Sequence, residues 1–213
     1  PEVQIEASAD SAGDLSVSED RTFDFDGSFT AVWWNFNNLP SGAGIEIESV
    51  KVTAGGKTTM LPSVPFQTSW RSAGGPSKAA YSFDGAEDAV YRVLNAVQIY
   101  NDTAELYWQF VGKGWAEDSD NISLTLNMPV PAGEKIVKGE TISAWGHGPL
   151  DATVAIDDTT GQITCDVPHL SAGSYAEIRV ACDPGWFSGV TQKDPNAHFD
   201  IARLDTLKSE EQS

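Results

Sequence analysis

The sequence predicts an all-β fold: an antiparallel β-sandwich of the immunoglobulin or jelly-roll type, with a short helical or irregular C-terminal tail. Two observations support this prediction. Apolar and polar residues alternate with a period of two, most clearly between Val90 and Pro131, and this period is typical of half-buried strands. Turn residues such as Gly55-Gly56 and Asn101-Asp102 separate the alternating segments at even spacing, as in known sandwiches.

The strands follow each other closely along the chain. They are predicted near residues 2–9, 14–25, 28–36, 45–53, 56–61, 79–84, 90–99, 104–111, 121–128, 135–144, 152–157, 161–167 and 175–182. A Gly, Pro and Ser-rich excursion lies around Ser63 to Ser77. Residues 86–97 also fit one face of a helix, but Tyr91, Val93 and Ile99 favour a strand.

The alternation also predicts which side chains form the core between two sheets. The predicted core residues are Phe23, Phe25, Leu106, Trp108, Phe110, Ile122, Leu124, Leu126, Ile163, Ile178 and Val180. Trp145 is in phase with apolar neighbours and is expected to pack in the core as well.

One strand carries charges on its inward face. Strict alternation over residues 14–25 turns Glu19 and Arg21 toward the core, together with Leu15 and Val17. Either the strand bulges near Asp20, which we favour, or the two charges are buried with partners.

The 213 residues are expected to form one sandwich domain over residues 1–185, with a further sub-boundary considered near 132–138, and a connector over 186–213. Asp183-Pro184-Gly185 breaks the strand pattern, and Asp194-Pro195 has the features of a helix start. Because the connector has only a thin apolar stripe, we expect it to pack loosely. Deleting residues 190–213 is then expected to leave the melting temperature nearly unchanged.

Composition excludes some partners. Thirteen Lys and Arg against 31 Asp and Glu give a net charge of -18, which repels phosphate backbones and anionic headgroups, so no nucleic-acid partner is expected. With 40% hydrophobic residues and seven tryptophans, the charge must lie on a folded body. No apolar run reaches the roughly 18 to 20 residues that cross a bilayer.

The two cysteines, Cys165 and Cys182, are both in phase with apolar neighbours and should face the core. In a simple hairpin they lie about 13 Å apart at strand rise, beyond the roughly 7 Å between Cα atoms that a disulfide needs. A disulfide therefore requires strands on different sheets or a shifted register. We favour two buried thiols, and the disulfide stays an open alternative.

No catalytic or cofactor site is recognisable. His147, His169 and His198 lack metal-ligand spacing, and the acidic stretch Glu117–Asn121 is more typical of an exposed turn than of a calcium loop. Since no Ser-His-Asp arrangement or phosphate-binding loop is recognised, the chain is expected to be non-enzymatic and without cofactors.

Two classes of function remain. The first is a structural or interaction domain, which we prefer. The alternative is a carbohydrate-binding module that uses exposed indoles as stacking platforms, for which the candidates are Trp33, Trp34 and Trp70.

Several motifs in order resemble one family. They are Leu15-Ser16-Val17-Ser18-Glu19, Phe23-Asp24-Phe25-Asp26-Gly27-Ser28-Phe29, Leu106-Tyr107-Trp108-Gln109-Phe110-Val111-Gly112 with Trp115, Gly146-His147-Gly148-Pro149 and Leu170-Ser171-Ala172-Gly173. Together they resemble the N-terminal domain of the predicted bacterial membrane proteins called domain of unknown function 2207.

That resemblance implies an extracytoplasmic domain in a cell-membrane-anchored bacterial protein. The export signal would precede this chain and the transmembrane helices would follow it, so contact with the membrane is made by segments outside the chain. The two classes of function above, apart from the resemblance, imply an unidentified protein or glycan as partner. The family has no established catalytic residues, and none is implied here.

Overall fold

The fold is described from a computed structural model, which describes residues 2–22, 32–36, 39–54, 57–61, 77–81, 86–115 and 117–212. Its strands are β1 (Glu2–Ala9), β2 (Leu15–Thr22), β3 (Val32–Phe36), β4 (Gly44–Ala54), β5 (Lys57–Leu61), β6 (Ser77–Tyr81), β7 (Ala86–Leu94), β8 (Val97–Tyr100), β9 (Ala104–Val111), β10 (Ser119–Asn127), β11 (Ile142–His147), β12 (Thr153–Ile156), β13 (Ile163–Leu170), β14 (Ala176–Cys182) and β15 (Ala197–His198). One helix, α1 (Leu204–Glu210), follows them.

Two large sheets form the sandwich. One has the order β12-β13-β10-β1-β2-β7-β4-β5, the other has β11-β14-β9-β8-β15, and β3 pairs with β6 in a separate ribbon. The predicted all-β sandwich is confirmed, and within it both large sheets are mixed. β1 runs parallel to β10, and β15 runs parallel to β8. Neither pair is joined by a hairpin turn, so no turn imposes the antiparallel direction.

The predicted strand 90–99 is two strands that belong to different sheets. β7 ends at Leu94 and β8 begins at Val97, and between them Asn95 adopts a φ of 53°. Asparagine tolerates this left-handed conformation better than most residues. The Asn95 amide donates to Asp14 Oδ1 at 2.7 Å, and this bond fixes the crossing between the sheets.

The predicted strand 135–144 is also displaced. Residues 137–141 form a turn in which Thr141 N donates to Val137 O at 2.9 Å, and β11 begins only at Ile142. The core face of β11 then carries residues 142 and 144, which places Trp145 on the outer face. The expectation that Trp145 packs in the core is therefore wrong, since it is half-buried and pairs in register with Arg179.

The core prediction is confirmed wherever the structure describes it. Leu106, Trp108, Phe110, Ile122, Leu124, Leu126, Ile163, Ile178 and Val180 are all at most 4% exposed, and side chains of both large sheets share one hydrophobic cluster. Phe23, Phe25 and residues 62–76 lie outside the described residues. Burial of these side chains is the main favourable contribution to the fold.

The favoured bulge near Asp20 is wrong. β2 pairs without interruption with β1 from Leu15 to Thr22 and with β7 from Leu15 to Arg21. Strict alternation therefore holds, and Glu19 and Arg21 are buried at 2% and 4% exposure. The alternative, a buried pair of charges, is what the structure contains.

The C-terminal segment packs on the sandwich, in contrast to the expected loose connector. Trp186 and Phe187 join the core cluster, β15 extends the five-stranded sheet, and Leu207 of α1 is fully buried. The predicted helix start at Asp194 is wrong, because this carboxylate accepts a hydrogen bond from the upstream Thr191 N at 2.6 Å and stabilises a turn instead.

Candidate functional site

The candidate stacking residues are only partly described. Trp33 and Trp34 lie next to each other on β3, where they pair with Ala80 and Ala79 of β6. Their side chains, and all of Trp70, lie outside the described part of the chain. The indole platform therefore stays a prediction.

An open groove lies beside the turn between β13 and β14 and is a candidate site. Its volume is about 460 Å³. We call it the His169 groove; it is lined by Lys113, Gly148, Pro149, Asp151, His169, Ser171, Gly173, Ser174 and Tyr175. These residues come from the turn after β9, the loop after β11 and the β13–β14 turn, so the groove depends on the tertiary fold.

Asp120, His169 and Ser171 are connected in the order acid, histidine, serine, as in a catalytic triad. His169 Nδ1 lies 2.7 Å from Asp120 Oδ1, and His169 Nε2 lies 3.4 Å from Ser171 Oγ. Sequence reasoning did not recognise this arrangement, because Asp120 is on β10 and only the β10–β13 register places it opposite His169.

The geometry is poor for a nucleophilic serine. The 3.4 Å separation between Ser171 Oγ and His169 Nε2 exceeds the roughly 2.6–3.2 Å at which a base takes a proton. The His169 and Asp120 side chains are 49% and 56% exposed, so water competes for their hydrogen bonds.

The backbone amides that follow Ser171 are not available to an oxyanion. The next three amides all donate elsewhere: Ala172 N to Asp118 Oδ1 at 2.8 Å, Gly173 N to Trp115 O at 2.8 Å and Ser174 N to Ser171 O at 3.0 Å. These amides are the usual donors to a developing oxyanion, and here they are engaged. Within the described chain, the arrangement fastens the β13–β14 turn to β10.

The groove offers charge and an aromatic surface. The hydrogen bond to Asp120 raises the pKa of His169, and the same bond lowers the pKa of Asp120. Lys113 Nζ lies 4.6 Å from the centre of the Tyr175 ring. Leu150, between two lining residues, is completely exposed. The groove can therefore contact a ligand that carries both acidic and apolar groups.

The outer face of the five-stranded sheet holds a second polar site. All residues of β14 are buried, although alternate side chains must point away from the core. The C-terminal segment covers this outer face through ion pairs of two arginines with three glutamates. We call this group the Arg179 clasp; it consists of Glu105, Arg179, Arg203, Glu210 and Glu211.

All three guanidinium nitrogens of Arg179 donate hydrogen bonds in the clasp. Its Nε donates to Glu105 Oε1 at 2.8 Å, its Nη1 to Glu211 Oε1 at 2.7 Å and its Nη2 to Glu210 Oε2 at 2.6 Å. Arg203 adds bonds to Glu105 Oε2 at 2.9 Å and Glu210 Oε1 at 2.8 Å. The guanidinium groups thus join β9, β14 and α1.

The clasp shifts the ionisation of its members. Hydrogen bonds from Arg203 and Arg179 lower the pKa of Glu210 to about 2. Burial disfavours the charge on Arg179, but hydrogen bonds to Glu211, Glu105 and Glu210 outweigh burial and raise its pKa. Arg179 and Glu210 therefore stay charged at neutral pH.

Distant residues complete the attachment of α1. Arg203 N donates to Asp102 Oδ1 at 2.8 Å, and Leu204 N lies 3.3 Å from the same oxygen. Asp102, in the turn between β8 and β9, thus accepts hydrogen bonds from the first backbone amides of α1. His147, at the end of β11, lies 2.9 Å from Glu211 Oε2.

A third polar group lies inside the sandwich. Arg21 forms an ion pair with Glu19, Tyr91 OH donates to Glu19 Oε2 at 3.3 Å, and the Arg21 guanidinium lies 4.4 Å from the centre of the Trp115 ring. These four residues are called the Arg21 cluster. They help to line a small cavity of about 30 Å³.

The cysteines are buried thiols. Cys165 lies on β13 and Cys182 on β14, in different sheets, and both thiols are free. Burial raises the pKa of Cys165 to about 11 and raises that of Cys182 as well. Both thiols are therefore protonated at neutral pH and weakly nucleophilic. Among the described residues, no group of three His, Cys, Asp or Glu side chains is placed to hold a metal.

Comparison with known families gives one match. The family model described as predicted membrane protein (DUF2207) N-terminal domain matches residues 1–182. The chain belongs to this family. No curated protein is similar enough to the chain to count as a match. Across the described ranges, no helix has the length and apolar character needed to cross a membrane.

Solved structures give distant similarities. A proposed protease from Parabacteroides distasonis has a TM-score of 0.49 and 10% identity over 86% of this chain and 40% of its own. Leukotriene A4 hydrolase from Saccharomyces cerevisiae has a TM-score of 0.47 and 11% identity over 84% of this chain and 28% of its own. The chain thus spans less than half of either protein, and similarities at this level carry no argument about function.

Proposed function

We propose that the chain is a non-enzymatic, extracytoplasmic interaction domain of a membrane-anchored bacterial protein. Membership of a family of predicted membrane proteins supports the anchoring. The interaction role is supported by the His169 groove and by the exposed Leu150 on its rim.

The groove suits binding better than catalysis. Its serine lies too far from the imidazole for efficient proton transfer, and the neighbouring amides are engaged. Its cationic Lys113, the ring of Tyr175 and the exposed Leu150 are the kinds of groups that anchor a protein partner. The partner segment that complements these groups is acidic and carries apolar side chains.

Sidedness and anchoring can be tested in cells that express the full-length protein. We expect the protein in the membrane fraction and expect added protease to cleave the domain in cells whose cytoplasmic membrane is intact. Recovery in the soluble cytoplasm contradicts the anchoring. Cleavage only after lysis of the cytoplasmic membrane contradicts the extracytoplasmic location.

The interaction role can be tested by site-specific photo-crosslinking in the same cells. A crosslinker in place of Leu150 or Tyr175 is expected to capture a discrete partner. A crosslinker at the exposed Thr159, on a turn of the same sandwich, is the matched control. Equal capture at all three positions, or capture at none, contradicts the proposed surface.

The alternative is a carbohydrate-binding module that uses Trp33, Trp34 and Trp70. The position of Trp33 and Trp34 on a ribbon outside the two large sheets favours keeping this alternative. Binding of cell-wall glycans that is lost on changing these tryptophans to alanine, and retained on changing Leu150, would favour it over the groove.

A further inference from the structure

The imidazole of His169 lies on the lining of the His169 groove and is held at one of its two nitrogens. His169 Nδ1 lies 2.7 Å from Asp120 Oδ1, and this hydrogen bond lowers the pKa of Asp120, so the carboxylate is ionised at neutral pH. Because an ionised carboxylate only accepts hydrogen bonds, Nδ1 is the ring nitrogen that carries the hydrogen. The bond to Asp120 therefore fixes the tautomer of the neutral imidazole.

The other ring nitrogen, Nε2, is the atom that changes with pH. In the neutral imidazole Nε2 is an acceptor, and its contact with the Ser171 hydroxyl is long, at 3.4 Å. Protonation places a hydrogen and a positive charge on the ring at Nε2, beside Ser171 on the same lining. Since the His169 side chain is 49% exposed, solvent reaches the ring and can exchange this proton.

The charged groups around the imidazole favour its protonated form. The hydrogen bond to Asp120 is the largest cause that raises the pKa of His169 above its ordinary value of 6.5, and the charges of Asp120, Asp118 and Asp151 raise it further. Lys113 is the lysine on the lining of the groove. Protonation of His169 thus adds one positive charge to surroundings that combine three acidic side chains with this lysine.

We propose that His169 is a pH switch of the groove, which binds an acidic partner segment more tightly when the imidazole is charged. This inference rests on the proposed function, because it concerns the regulation of the same groove. The charged ring donates from Nε2 to a carboxylate of the partner, while Nδ1 keeps its hydrogen bond to Asp120. The expected gain in affinity is about two- to five-fold, the size of one partly exposed ion pair.

A binding measurement on the full chain tests the switch. The probe is a short synthetic peptide of glutamates and leucines, whose glutamates have a pKa near 4.3 and stay ionised between about pH 5.5 and about pH 8. Calorimetry in about 0.15 M salt, which screens the long-range charge of the chain, gives the Kd. We expect a Kd about two- to five-fold lower at about pH 5.5 than at about pH 8.

Two histidine variants show whether His169 causes the change. His169→Gln is expected to bind the peptide equally at both pH values. His198→Gln is the matched control, because His198 lies on β15 and does not line the groove, and it should keep the full pH dependence. A dependence that persists in His169→Gln overturns the switch.

The unchanged chain separates failure of the switch from failure of the proposed function. An equal Kd at both pH values overturns the switch and leaves the groove as a binding site for an acidic segment. Absence of binding at both pH values contradicts the acidic partner chemistry of the proposed function, and the switch with it.

Nitrogen chemical shifts of the imidazole test the geometry without a ligand. At high pH we expect the hydrogen on Nδ1 and the lone pair on Nε2. Asp120→Asn should lower the pH midpoint at which His169 titrates, since this change removes the carboxylate charge beside the ring. A midpoint that does not move, or a hydrogen on Nε2 at high pH, overturns the proposal.

Discussion

Two arginines are buried on strands of this sandwich, and their guanidinium groups are satisfied in different ways. Arg21 pairs with Glu19 on its own strand and leaves Nη1 without a partner in the described chain. Arg179 uses all three of its nitrogens on carboxylates from β9 and the C-terminal segment.

The difference shows what each site can stabilise. A carboxylate two residues away on the same strand reaches one side of a guanidinium, and this ion pair joins two positions of a single strand. Carboxylates from separate elements surround Arg179, and each bond holds the C-terminal segment against the sheet. The Arg179 clasp therefore acts between elements, whereas the Glu19–Arg21 pair is local.

The largest effect is expected from Arg179→Met. This change leaves the buried Glu211 without its arginine and Glu105 with Arg203 alone. Loss of one member of a buried ion pair costs about 3–5 kcal/mol. Urea unfolding measures the free energy. Arg92→Met, at an arginine that is 31% exposed, is the matched control and should cost within about 1 kcal/mol. Equal losses in the two variants would contradict the role of the clasp.

Changing one or both members of the Glu19–Arg21 pair should have different effects on the free energy of unfolding. Arg21→Met leaves Glu19 charged in the core and is expected to cost about 3 kcal/mol. The double variant Glu19→Leu with Arg21→Met removes both charges and should recover most of that loss. A double variant less stable than Arg21→Met would show that the pair is stabilising in itself.

Acid should weaken the clasp. Because the pKa of Glu210 is lowered from 4.5 to about 2, its contribution is complete above pH 4.5 and is lost as the pH falls toward 2. We expect the stability difference between the unchanged chain and Glu210→Gln to shrink over this range. A difference that stays constant from pH 7 to pH 2 would contradict the assignment.

The smallest change in stability is expected from Asp20, on the outer face of β2 between Glu19 and Arg21. Burial and the nearby carboxylate of Asp88 raise the pKa of Asp20 to about 6. Asp20 is thus most favourable to the fold below pH 3.8, and that contribution is lost as the pH rises through 6. Asp20→Asn should raise the melting temperature slightly at pH 8 and have no such effect at pH 3.5.

The sequence predicted the parts of the fold that depend on local pattern. Strands β1, β2, β9 and β10 show clear alternation, and their buried faces are as expected, including the inward Glu19 and Arg21. The favoured bulge was wrong because burial of a charge pair is tolerated when each partner satisfies the other. Local pattern does not reveal that compensation.

Other features depend on contacts between distant residues. The break at Asn95 follows from its bond to Asp14, 81 residues away, and α1 begins where Asp102 accepts its first amides. The Arg179 clasp and the His169 groove likewise assemble from strands that only the register brings together. Alternation within one segment carries no information about these partners.

Removal of the C-terminal segment tests the central claim, that the clasp makes this segment part of the domain. The full chain and a chain ending at His198 should be compared by thermal unfolding, with Lys208→Ala as a control for loss of an exposed contact. We predict a drop on the order of 10 °C for the shortened chain and almost none for the control. An unchanged melting temperature, as the sequence pattern alone suggests, would contradict the account.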